Sequence, residues 1–93
     1  MSPREKIMLV ISKFYGIVIR IVGGQPLEPR FHAFYGDSEL VVTIWPLQIV
    51  QGNAPGRVRD MVLEWASNHQ QELLSAWNRC RFGLAPLAIS PLE

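Results

Sequence analysis

The most regular feature of the chain is a repeat of apolar residues between Pro55 and Phe82. Apolar side chains recur there at steps of three and four residues, which places them along one side of an α-helix. We therefore predict that residues 55–82 are helical and that their apolar side packs against the rest of the protein. The residues of this apolar stripe are Val58, Met61, Val62, Trp65, Ala66, Leu73, Ala76, Trp77 and Cys80.

A single straight helix over residues 55–82 would span about 40 Å at ~1.5 Å per residue. A compact domain of this size is barely that wide, so we expect the helix to bend or break near residues 67–70. Ser67 and Gln70 have the spacing of a capping box, which predicts that a second helix begins there.

The first half of the chain has the short apolar runs and alternating polar positions that are typical of β-strands. Ile17, Ile19 and Ile21 share one face of the clearest of these strands. Gly36 and Asp37 suit a two-residue hairpin turn between two others. The predicted strands cover residues 6–12, 14–22, 30–35, 38–45 and 47–50.

The order of these elements predicts an α+β fold. A small antiparallel sheet of three to five strands lies within residues 6–52, and one long or broken C-terminal helix packs on one face of it. Residues 1–5 are expected to be frayed, and the glycine- and proline-rich residues 23–29 to form a loop. Residues 83–93 are expected to be an extended tail that is anchored by one of its larger apolar side chains, Leu84, Leu87 or Ile89.

The composition narrows the class of protein. With 93 residues, 48% of them hydrophobic, the chain is long enough for one domain with its own core. Its single cysteine, Cys80, excludes an internal disulfide and lies in the apolar stripe, so we expect a buried structural thiol and a cytoplasmic protein. No apolar run approaches a membrane span. The net charge of +1 predicts no general attraction to nucleic acid, whereas the apolar composition favours a protein partner or a homo-oligomer.

The polar residues around the predicted hairpin turn form the candidate catalytic group. A histidine beside a carboxylate can act as a general base while an arginine holds a phosphate, so His32, Glu39 and Arg30 are candidate catalytic residues. The alternative is a structural histidine on a half-exposed strand. We expect no metal site and no cofactor, because His32 and His69 are the only histidines and Cys80 is expected to be buried.

Two further groups of residues are candidates for binding. The candidate phosphate-binding residues are Arg20, Arg57 and Arg59, because cationic groups position RNA in small ribonucleases. The alternative is that these are ordinary solvated arginines. The candidate partner-binding residues are Trp45, Phe34 and Tyr35; a tryptophan at the end of a strand, such as Trp45, can fill a pocket in a partner.

Three segments, ISKFYGIVIR, PRFHAFYGDSELVV and RVRDMVLEWASNHQQELLSAW, resemble the bacterial domain-of-unknown-function family 4160 in their order and spacing. The likeness runs from Ile11 to about Leu92. It implies a small cytoplasmic protein of bacterial or phage origin that is commonly encoded beside a short partner. Such pairs are suspected of being toxin–antitoxin modules, and the family itself has no established chemistry.

The chain departs from the pattern of that family at the histidines. Members usually carry an Asp-His pair in the proline-rich loop and a His-Phe-His motif after it. This chain has Gly24-Gln25 and Arg30-Phe31-His32 at those places. If the histidines bind a metal or do acid–base chemistry in relatives, this chain has lost that activity or performs it differently.

Two functions of different classes remain open at this point. The first is a protein-interaction module, the toxin-like member of a type II toxin–antitoxin pair, which binds a cognate small protein or a host target. The alternative is a small ribonuclease-like toxin that uses His32 and arginines on an RNA phosphate. The sequence contains no complete catalytic constellation, and this favours the first function.

Overall fold

A computed structural model describes residues 8–22 and 28–93. The predicted frayed N-terminus at 1–5 and most of the predicted loop at 23–29 lie outside these ranges. The described residues form five strands and two helices, which follow one another along the chain. They are β1 (Met8–Phe14), β2 (Ile17–Val22), β3 (Arg30–Tyr35), β4 (Ser38–Ile44), β5 (Leu47–Asn53), α1 (Gly56–Ser67) and α2 (Gln70–Arg81).

The five strands form one antiparallel sheet in the order β1-β2-β3-β4-β5, so each strand pairs with its neighbours in sequence. This confirms the predicted α+β class and the antiparallel sheet. The predicted turn at Gly36, which has φ +56°, joins β3 to β4. Gly16, with φ +79°, lies in an equally tight turn between β1 and β2, where the positive φ suits glycine.

The C-terminal half contains two helices, so the alternative of one long continuous helix is wrong. The interruption at Asn68 and His69 falls inside the range where a break was expected. The predicted capping box does not form. The Ser67 hydroxyl donates to the carbonyl of Glu64 at 2.8 Å, inside its own helix, and α2 begins after His69 without a side-chain cap.

Both helices pack on the same face of the sheet and bury the apolar stripe against it. Trp65 is fully buried at the centre, with ring centroids 5.3 Å from Phe14 and 5.9 Å from Phe31. The strands contribute Ile11, Phe14, Ile17, Ile19, Ile21, Phe31, Ala33, Leu40, Val42 and Ile44 to this core. The helices contribute Val58, Val62, Trp65, Ala66, Leu73, Ala76, Trp77 and Cys80.

The two edge strands each contain a β-bulge. In β1 the register shifts between Val10, which pairs with Arg20, and Ser12, which pairs with Ile19. In β5 the register shifts so that Val50 is the extra residue. A bulge resets the alternation of side chains between the two faces, which explains why the first strand has no clean apolar–polar alternation in sequence.

The tail after α2 runs back across the β1 edge of the sheet. The Ile89 N–H donates to the Ile11 carbonyl at 2.8 Å, and the indole N–H of Trp65 donates to the Ser90 carbonyl at 2.7 Å. Ile89 is buried in the core, whereas Leu84 and Leu87 are exposed. The anchor of the tail is therefore Ile89. Neither of the helices among the described residues has the length and apolar character needed to cross a lipid bilayer.

Candidate functional site: the open face of the sheet

The face of the sheet opposite the helices is called the open face here. No helix or strand of the described residues packs over it. Cross-strand pairing defines two rows of side chains that run across this face. One row is Val10, Arg20, His32, Val41 and Gln51, and the next is Lys13, Val18, Phe34, Glu39 and Asn53.

His32 and Glu39 form a close polar pair near the middle of the open face. The Nδ1 atom of His32 lies 2.8 Å from Oε2 of Glu39, and the His32 side chain is 17% exposed. An ionised carboxylate only accepts hydrogen bonds, so Nδ1 must be the donor in this pair. The neutral ring then carries its lone pair on Nε2, and this nitrogen is the one that can accept a proton.

Arg20 and Phe34 complete a compact group with this pair. The Arg20 guanidinium carbon is 5.5 Å from the centre of the Phe34 ring, within the range of a cation–π contact. The His32 and Phe34 rings are nearly parallel, with centroids 6.3 Å apart. Arg20, His32, Phe34 and Glu39 are called the central cluster below. Each member of the cluster therefore contacts at least one other member.

The structure brings together two of the three candidate catalytic residues. His32 and Glu39 are in contact, whereas the Arg30 guanidinium lies 3.6 Å from the carboxylate of Glu28. Arg20 is the arginine directly opposite His32. A depression of about 400 Å³ adjoins the pair and is lined by His32, Glu39, Val41, Gln51 and Gly52. Within residues 8–22 and 28–93, no three His, Cys, Asp or Glu side chains converge as metal ligands would.

The structure does not gather the three candidate phosphate-binding arginines. Arg20 lies on β2 and faces away from the helices, whereas Arg57 and Arg59 are exposed on the first turns of α1. The helix α1 packs on the opposite face beside β5, and β5 is three strands from β2. At about 4.8 Å per strand this separation is roughly 14 Å within the sheet alone.

The candidate partner-binding residues also lie apart. Phe34 belongs to the open face, while the next residue, Tyr35, packs against the core on the helix side. Trp45 is 64% exposed in the turn between β4 and β5, at the far end of β4 from the pair formed by Tyr35 and Ser38. A strand of seven residues separates these ends by about 20 Å. The three residues therefore cannot form one compact patch.

Sequence reasoning missed the role of Arg20 beside His32 and Phe34. One signal for the His32–Glu39 contact was present: a two-residue turn at Gly36 and Asp37 dictates that Phe34 pairs with Glu39 and brings His32 within reach. No such local signal existed for Arg20, because the sequence between β2 and β3 contains no two-residue turn signal that would set their register.

The sequence model of the family described as Domain of unknown function (DUF4160) matches residues 16–78 of the chain. The match extends from the turn before β2 into α2, and thus covers four of the five strands together with α1. It confirms the resemblance found in the sequence. A search of curated proteins and a search of solved structures each found no significant match.

Proposed function

The chain belongs to this family of unknown function, and we propose that it is a small protein-interaction module that binds a partner through the open face of its sheet. The observation that carries the proposal is the central cluster. An aromatic ring and an arginine are held in place at the middle of a sheet face that no described element covers. Arginine and aromatic residues are among the side chains that most often dominate binding energy.

The charges on the β1 and β2 part of the open face indicate the chemistry of the partner. Lys13 and Arg20 are the only charged side chains of β1 and β2, and both face away from the helices. Among the described residues neither has a carboxylate partner. Val18 is paired with Lys13 across the strands, and Phe34 is paired with Val18 on the next strand. A surface of this kind fits an acidic protein segment that also carries apolar side chains.

The family resemblance suggests which partner to test first. It implies a short protein encoded beside the gene, so we take this cognate protein as the partner and the present chain as the toxin-like member of the pair. The buried free thiol of Cys80 is compatible with the reducing cytoplasm in which such a pair would act.

The test is co-expression with the product of the adjacent gene, followed by size-exclusion chromatography and titration calorimetry. Arg20→Glu and Phe34→Ala should each weaken the complex about tenfold or more, because they remove a cation and the ring that it contacts. The matched control is Arg57→Glu, which makes the same charge change on the helix side and should leave the affinity unchanged. Equal losses in Arg20→Glu and Arg57→Glu would mean that the open face is not the binding surface.

A second candidate function is the ribonuclease-like activity, and the His32–Glu39 contact is the observation that favours it. With Nδ1 held by the carboxylate, Nε2 of His32 can remove the proton from a ribose 2′-hydroxyl beside a phosphate. Arg20, on the neighbouring strand, can hold that phosphate. It ranks second because the central cluster offers one imidazole and no separate acid to protonate the leaving oxygen.

His32→Ala tests this second function. We expect a loss of stability of about 1 kcal/mol from the lost contacts with Glu39 and Phe34, and no change in RNA cleavage or in cell growth on expression. The measurements are thermal unfolding, a cleavage assay on single-stranded RNA and a growth assay. If the wild type cleaves RNA and a stably folded His32→Ala variant does not, the protein is a ribonuclease and not an interaction module.

A further inference from the structure

The two edges of the sheet differ in what covers them. The outer side of β1 is met by the tail, whose Ile89 N–H bonds to the Ile11 carbonyl. On the outer side of β5, no backbone hydrogen bond is made by any part of residues 8–22 and 28–93. An uncovered edge presents a row of free backbone donors and acceptors, and another strand can pair with them.

The composition of β5 does little to prevent such pairing. Its sequence, LQIVQGN, contains no charged residue and no proline, which are the usual means of protecting an exposed edge. The bulge at Val50 is the one protective feature. The other edge shows that a bulge does not prevent pairing in this sheet, because the bulge residue Ile11 is the residue whose carbonyl accepts the hydrogen bond from the tail.

We propose that β5 pairs in antiparallel fashion with β5 of a second copy of the chain, about a two-fold axis near Val50, to form one continuous sheet across a homodimer. The charge of the strand argues for a second copy as the occupant. An uncharged strand meets no like-charge repulsion when it faces itself, and it offers no charge that would select a different partner. Closed two-fold dimers are the commonest assemblies of identical chains.

The register of this pairing gives a role to Trp45. A two-fold axis at Val50 places Leu47 opposite Asn53 of the second copy. Trp45, two residues before β5, then lies beside Pro55 of the second copy, which follows its β5 by two residues. Trp45 is 64% exposed in the single chain, whereas Trp65 and Trp77 are buried. Dimer formation therefore covers the one exposed indole, and its fluorescence should shift to shorter wavelength.

The experiment is sedimentation velocity on the full chain from micromolar to millimolar concentration, together with tryptophan fluorescence. We expect the wild type to form dimers as the concentration rises, with an emission shift that Trp45→Phe lacks. Val50→Lys should raise the dimer dissociation constant about tenfold or more, because it places two like charges near the axis. If Val50→Lys impairs folding, Gln48→Lys places the same charge at an exposed polar position of β5.

The matched control is Val10→Lys. Val10 is 43% exposed and Val50 is 45% exposed, but Val10 lies on the strand whose edge the tail covers. Val10→Lys should leave the dissociation constant unchanged. A charge-swap mixture gives the sharpest result: Val50→Lys and Val50→Glu should each dimerise more weakly than the wild type alone, and should associate more tightly when they are mixed.

Any one of four results would overturn the proposal. The first is a wild type that stays monomeric at all concentrations. The second is a Val10→Lys protein that dissociates as much as Val50→Lys. The third is a charge-swap mixture that does not associate. A dimer that survives Val50→Lys and is lost in Phe34→Ala would also overturn it, since the contact would then lie on the open face. The homodimer proposal concerns the β5 edge and is independent of the proposal that the open face binds a partner.

Discussion

The tail should contribute to stability through Ile89, although it contains no regular secondary structure. Ile89 is 5% exposed and belongs to the same core as Trp65, whereas Leu87, two residues earlier, is 67% exposed. Ile89→Ala removes three carbon groups at about 0.8 kcal/mol each, which gives roughly 2.4 kcal/mol before any cavity term. The tail lies at the surface and can partly collapse, so we expect a total near 3 kcal/mol, in the lower half of the usual range.

A second contribution arises if the substitution releases the tail. The Trp65 indole N–H would then lose its hydrogen bond to the Ser90 carbonyl. The loss of such a hydrogen bond costs about 0.5–1.5 kcal/mol, so complete release would raise the loss in Ile89→Ala to roughly 4 kcal/mol. The two cases differ in hydrogen exchange, because only release exposes the N–H of Ile89 while the sheet remains folded.

The assay is equilibrium unfolding in urea, followed by circular dichroism. A loss near 3 kcal/mol should lower the midpoint by more than about 1 M urea and the melting temperature by roughly 12–24 °C for a domain of this size. Leu87→Ala is the matched control and should change the stability by less than about 0.5 kcal/mol. If both variants lose the same small amount, the tail does not belong to the core and the reasoning fails.

Two further predictions concern single sites. Gly52→Ala should cost about 2 kcal/mol or more by urea unfolding, because Gly52 has φ +90° and a Cβ there would overlap the Glu39 carbonyl oxygen; Gly36→Ala, at φ +56° with open space around it, should cost only about 1 kcal/mol. Burial raises the pKa of the Cys80 thiol above its usual 9.0, against a smaller opposite effect of Arg79. The protonated thiol therefore stabilises the fold below pH 9.0, and this stability is lost as the pH rises from there towards the folded pKa. Between about pH 8 and pH 10 the free energy of unfolding should fall more for the wild type than for Cys80→Ala. Equal falls for the two proteins, measured by urea unfolding at each pH, would contradict this.

The central cluster shows which contacts local sequence patterns can predict and which they cannot. The turn at Gly36 sets the pairing of β3 with β4, so the approach of Glu39 to His32 was implicit in the sequence. The position of Arg20 depends on the pairing of β2 with β3, which no short turn specifies. The same limit applied to Arg57 and Arg59, whose distance from Arg20 depends on which face of the sheet α1 covers.

The elements whose signals are local could be predicted from the amino-acid sequence. The helical period predicted the stripe that contains Trp65 and Trp77, and alternation and turn residues predicted an antiparallel sheet, because each depends on residues a few positions apart. The tertiary structure was needed to establish which tail residue enters the core, which edge the tail covers and which side chains meet on the open face. Those outcomes depend on contacts between residues far apart in the chain, such as Ile11 with Ile89 and Trp65 with Ser90. Such contacts are fixed by the packing of the complete sheet and helices, and no local spacing encodes them.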